Sequence, residues 1–159
     1  MDYKLLLLLA SLLIFSTYVI TIWIKYGILP TISDSYYILP DNRKILFTLT
    51  LWAFSLPVII VGATTSGINI MFFAGASICF VGASPLFKEH FEGRVHYVSA
   101  IIGIVLGLTS LWVNFGLGEL VVTSVLLMLT IRILVKNNYT WWIEILAFLT
   151  IIIGLLLTL

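Results

Sequence analysis

The sequence predicts an all-α, polytopic transmembrane bundle of six helices, and three observations carry that expectation. The 159 residues are 62% hydrophobic and only 9% charged, with a mean hydropathy of +1.20, whereas a soluble domain is roughly 45–50% apolar and about 25% charged. Six apolar runs of spanning length divide the chain, and the charges gather in the breaks between them. At about 20 residues per membrane helix, six helices leave roughly 40 residues for loops and ends, so these residues have no room for a separate soluble domain.

The first run is Leu5 to Ile24. It continues well past the roughly 7–15 apolar residues of a signal core and lacks an Ala-x-Ala-like cleavage site, so it is expected to persist as a helix. Ile45 to Ala63 follows; Pro57 within it should bend the helix and free a carbonyl for a neighbour or water. The remaining runs are Ile68 to Leu86, His96 to Val113, Glu119 to Val135 and Trp142 to Leu159. Trp23, Trp52, Trp112, Trp141 and Trp142 lie mostly near run ends, where interfacial anchoring places indoles.

The connections are Lys25 to Lys44, Thr64 to Gly67, Phe87 to Val95, Asn114 to Gly118 and Lys136 to Trp141. Short connections force neighbouring helices antiparallel. Of the eight basic residues, Lys25, Arg43, Lys44, Lys88, Arg94, Arg132 and Lys136 fall in or beside the first, third and fifth connections, against Lys4 alone on the other side. The positive-inside rule then puts those three connections in the cytoplasm and both termini on the non-cytoplasmic side. A net charge of +1 supplies no footprint for nucleic acid.

Helices in lipid associate closely where small residues let backbones approach. The third run carries Gly75-Ala76-Ser77 and, seven residues on, Gly82-Ala83-Ser84. In the fourth, His96, Ser99, Gly103 and Gly107 fall within about 80° of one another on a helix, so a stripe of small residues leads up to a histidine. Helix packing is the expected use of Gly75, Gly82, Ser99, Gly103 and Gly107.

Both histidines, and all acidic residues except Asp2 and Glu119, belong to the basic side. Three of these residues are costly to place near a membrane: Asp34 in the first connection, His96 opening the fourth helix, and Glu144 in the first turn of the sixth. Ionisable groups at membrane depth usually face the bundle interior and are paired. Together with Ser33 and His90 they form the candidate ligand-binding set. A structural role accounts for the same residues: Glu144 suits a helix N-terminus, Asp34 suits a loop turn, and His96 suits a hydrogen bond to either. No metal or cofactor site is expected, because a single cysteine and histidines six apart lack zinc-ligand spacing. The sequence also lacks a phosphate-binding Gly-Lys-Ser/Thr loop and a Gly-x-Ser-x-Gly turn.

At Pro30-Thr31-Ile32-Ser33-Asp34-Ser35, and at His96-Tyr97-Val98-Ser99-Ala100, the chain resembles the six-helix DRAM/Frag/Sfk-type membrane proteins. It is also similar to small uncharacterised six-helix proteins of bacteria and their phages. The resemblance implies a membrane protein linked to lipid handling or membrane regulation, with Ser33, Asp34 and His96 at the matching positions. The chain departs from that pattern in carrying Tyr36 where glycine is usual, and in a charge bias that sets this loop on the cytoplasmic side, where the family usually has it on the other. A more distant likeness to the ceramidase and receptor-type CREST hydrolases lacks the His-x-x-x-His of their last helix.

The expected function is non-enzymatic binding of membrane lipids, or of a membrane protein partner, through the polar cluster on the basic face. The alternative is a membrane-embedded lipid hydrolase in which Asp34, His96 and Glu144 position a water or a metal. A small transporter or channel is the third reading, weakened by the scarcity of polar residues near the midplane.

Overall fold

The computed structural model describes residues 3–65, 70–86 and 88–159. It is all-helical, with no strand among the described residues. Seven helices follow in order: α1 (Tyr3–Tyr26), α2 (Ser35–Ile38), α3 (Ile45–Thr64), α4 (Ile70–Ala83), α5 (His90–Val113), α6 (Gly118–Leu134) and α7 (Tyr139–Leu156). By length and composition, four segments can cross a membrane: α1, α3 with the short 3-10 turn Asp41–Arg43 before it, α5 and α7.

Several ends differ from those expected of hydropathy. α5 begins at His90 rather than His96, because the polar stretch Phe91 to Val95 continues the helical hydrogen bonding and Gly93 N–H already bonds the Glu89 carbonyl at 2.8 Å. A hydropathy window finds the lipid-facing part of a helix, whereas the backbone ladder runs on into the polar interface. His96 is therefore nearly two turns inside α5. The last helix begins at Tyr139, after Asn138 in the left-handed region at φ 57°, so Glu144 lies in its second turn; it ends at Leu156. α4 stops at Ala83, just before Ser84-Pro85, since a proline disfavours helix at the residue preceding it. The expected start of that run at Ile68 and most of the second connection lie outside the described residues. Pro57 sits in an unbroken α3.

The interior is built on aromatic and glycine contacts. Phe15 of α1, Phe54 of α3 and Phe148 of α7 form a triangle with ring centroids 4.8 to 5.5 Å apart. Trp141, expected as an interfacial anchor, is instead among the largest side chains in the core, 1% exposed. α4 is held tightly on both sides. A Cβ on Gly75 would lie 2.8 Å from the Ile59 amide nitrogen of α3, and one on Gly103 of α5 would lie 2.8 Å from Ile78 of α4. Gly82 faces Leu51 and Trp52 of α3, Gly107 faces Ile151 of α7, and Ser99 is half-buried in α5. Polar bonds add to this: Thr48 and Trp52 of α3 donate to the Gly82 and Cys79 carbonyls, and the Ser124 hydroxyl of α6 and the Thr150 hydroxyl of α7 are hydrogen-bonded at 2.9 Å, with Thr150 accepting because its own hydrogen goes to the Leu146 carbonyl.

Candidate functional site

The polar groups of the first, third and fifth connections meet at one end of the bundle. The first connection does not simply bridge α1 and α3. Its residues Ile32 and Ser33 are buried, and it turns inward between α1, α5 and α7. The fold-back is shaped locally by Asp34, whose Oδ2 accepts from both the Thr31 hydroxyl (2.9 Å) and the Thr31 amide (3.2 Å). Thr31 Oγ1 in turn accepts the Asp34 amide at 3.2 Å. This reciprocal turn leads straight into α2. Such side-chain to backbone bonds are the ordinary way Asp and Thr hold turns.

Three longer-range bonds then fasten the connection. The Ile32 amide donates to Glu144 Oε2 of α7 at 2.7 Å. Ser33 Oγ lies 2.8 Å from Nε2 of His96, and the His96 Nδ1 lies 3.1 Å from the Ser84 carbonyl. Because a carbonyl can only accept, Nδ1 carries the hydrogen; Nε2 of the neutral ring is then an acceptor and Ser33 donates to it. Ser35 Oγ donates to the Ile32 carbonyl at 2.6 Å, which leaves the Tyr18 hydroxyl of α1 to donate to Ser35 Oγ, also at 2.6 Å. His96 is 3% and Ser33 7% exposed, so these bonds are made where water does not compete. The ring of Phe47 stacks over His96 with centroids 6.5 Å apart.

The third and fifth connections grip the same loop from outside. The Lys88 amide donates to the Tyr37 hydroxyl at 2.9 Å, while its ammonium stands 4.2 Å from the Tyr37 ring centroid and 4.0 Å from Asp34 Oδ1. Asn138 Nδ2 donates to the Ile28 carbonyl at 2.8 Å.

No family model, curated protein or solved structure matches the chain. Its chemistry has to be read from the residues themselves.

Of the residues singled out in the sequence, Ser33, Asp34, His96 and Glu144 come to this end and are joined through the segment 31–34. Each bonds a neighbour of the others: Glu144 holds Ile32, His96 holds Ser33, and Asp34 holds Thr31. His90 stands apart. It is exposed on the first turn of α5, 3.4 Å from the Arg94 guanidinium. Among the described residues no three His, Cys, Asp or Glu side chains are grouped closely enough to hold a metal ion. Tyr18 and the Ser84 carbonyl are members of the network that sequence reasoning missed. Tyr18 carried a usable signal, since a phenol in an otherwise apolar run normally has a hydrogen-bond partner when buried; a backbone carbonyl carries none.

Beneath the clamp is a cavity of about 20 Å³, lined by Ser33, Phe47, Leu51, Ala100, Glu144 and Phe148. That is room for about one water. Glu144 Oε1 carries no hydrogen bond from the described residues, so a water here would find an acceptor.

Proposed function

We propose that the chain crosses the bilayer six times and binds a membrane lipid or a membrane partner, without turning it over, through the polar end where its first, third and fifth connections meet. Direction supports the crossing count. α1 and α3 are joined at this end, and α5 and α7 both begin at it, as the bonds of the first connection to His96, Glu144 and Asn138 require. α3 and α5 run away from it, so α4 and α6 each have to return. The described part of α4 covers 14 residues, about 21 Å, and α6, with 17 residues, is about 26 Å long; α6 is short for a hydrocarbon core of about 30 Å, a mismatch that local thinning accommodates. The seven basic residues at or near this end support a cytoplasmic placement, with both termini opposite.

The observation that carries the reading is the clamp itself: Ile32, Ser33 and Ser35 fastened to α7, α5 and α1. It presents Asp34, Tyr37 and Lys88 on a preformed surface at the level of lipid headgroups. A preformed surface loses little freedom on binding. The test is mass spectrometry of the lipids and proteins that co-purify with the chain in mild detergent. A bound species is expected with the native sequence and is expected to be lost in His96→Ala and weakened in Lys88→Gln. A bound species unchanged in both variants removes the polar end from the function.

One observation favours the hydrolase as second reading. Ser33 Oγ within 2.8 Å of His96 Nε2, with the ring oriented by the Ser84 carbonyl, is the arrangement of a serine activated by a general base. Release of fatty acid from a lipid ester, abolished by Ser33→Ala, would establish it over the binding reading.

A further inference from the structure

An open groove of about 410 Å³ runs between α1 and α3, within the range of small-molecule and cofactor sites. On α1 its wall is Leu13, Thr17 and Tyr18, then Thr21; on α3 it is Leu46 and Thr50. Leu13, Thr17 and Thr21 are spaced four apart and so share one face, and Lys25 is next on that face. Arg43 lies one turn before Leu46. Along α1 the groove is thus apolar at its deep end and carries hydroxyls nearer the surface, and by helix register the exposed cations Lys25 and Arg43 follow about one turn beyond its lining residues. From Leu13 to Lys25 is about 18 Å along the helix, close to one leaflet of hydrocarbon at about 15 Å.

Two details point to an occupant. Thr21, Thr64, Thr130 and Thr150 each turn their hydroxyl back onto the carbonyl four residues earlier. Thr50 does not: it is 6% exposed, lines the groove, and its hydroxyl has no hydrogen-bond partner among the described residues. Ser11 Oγ is the one buried polar side-chain atom without a partner among the described residues, so the Thr50 hydroxyl is not enclosed but opens into the groove, where an ester carbonyl would accept from it. The charges are equally one-sided. Asp41 is taken by Lys44 at 2.7 Å and Asp34 stands by Lys88, so Lys25 and Arg43 have no acidic partner among the described residues.

We infer that this groove seats an anionic phospholipid, its phosphate held by Lys25 and Arg43, its ester carbonyl at Thr50, and an acyl chain running on inward along Thr17 and Leu13. The inference rests on the lipid-binding reading above and adds the lipid's class and its seat. It agrees with the expected sidedness, because anionic lipids are concentrated in the cytoplasmic leaflet, where each nearby Lys or Arg strengthens their binding.

The experiment is native mass spectrometry of the full chain in detergent with equal amounts of phosphatidylglycerol and phosphatidylcholine added. The native chain should retain phosphatidylglycerol over phosphatidylcholine by about thirty-fold, the product of two cation contacts. Lys25→Gln with Arg43→Gln, both at exposed positions, should bring the ratio close to one. Thr17→Trp, which fills the groove from its exposed side, should reduce retention of both lipids. Equal retention by the native chain, or a preference untouched by the double variant, or retention untouched by Thr17→Trp overturns the inference. A preference that survives the double variant and disappears in Lys88→Gln overturns the groove while leaving lipid binding at the polar end in place. A native chain that retains neither lipid overturns both.

Discussion

At the scale of single residues, the polar end works by giving each buried group one specific partner. Glu144 is the clearest case, because its Oε2 is the acceptor for an amide, Ile32 N–H, that comes from 112 residues away in the sequence. Replacement by glutamine keeps a carbonyl oxygen in reach of that amide. Replacement by leucine removes the acceptor and leaves the amide buried without a partner, at a cost of about 1–3 kcal/mol. Thermal unfolding in detergent should therefore show Glu144→Gln close to the native chain and Glu144→Leu clearly destabilised; equal melting of the two variants would show that the bond does not hold the loop. Asp34, His96 and Glu144 were legible in the sequence because an ionisable side chain among apolar neighbours is conspicuous and needs a partner. Their partners were not legible. Ile32 N–H and Ser84 C=O are backbone groups, identical in every sequence, and only the fold-back of the first connection brings them within reach. The same fold-back leaves His90 outside, although its residue type made it as good a candidate as His96.

Among elements, the tightest constraint is the approach of α3 and α4. Gly62 and Gly75 let backbone meet backbone: a Cβ on Gly62 would collide with the Phe72 amide, and one on Gly75 would lie 2.8 Å from the Ile59 nitrogen and 3.1 Å from the Ser55 carbonyl. Backbone atoms cannot rotate aside as a side chain can. Gly75→Ala is expected to push the pair apart and destabilise the bundle by about 1–3 kcal/mol, read as a lowered melting temperature, whereas Gly107→Ala meets the flexible end of Ile151 and should cost less. Equal effects at the two positions would contradict this packing. The repeated Gly-Ala-Ser element made the α4 contacts readable, and long apolar runs made α1, α3 and α7 readable over most of their lengths. The ends were not, because hydropathy follows lipid exposure while helices follow hydrogen bonds; the polar turns before His96 belong to α5 for that reason. The short helix α2 was equally hidden, since four residues carry no periodicity.

For the whole molecule, the uneven charge acquires a structural meaning. The basic connections are adjacent in sequence to three different turns of the chain, and hydrogen bonds gather those turns into one surface. Sidedness and site are therefore one claim: if this end faces the cytoplasm, the clamp, its cations and the α1–α3 groove all face the leaflet richer in anionic lipid. Single cysteines at exposed positions, in a background with Cys79→Ser, test it directly with a membrane-impermeant maleimide on intact cells. Cysteine at Asn42, Glu89 and Asn137 should stay unlabelled until the membrane is opened, while cysteine at Asn114 should label at once. Labelling of Glu89→Cys on intact cells, or identical labelling of all four positions, would contradict the account.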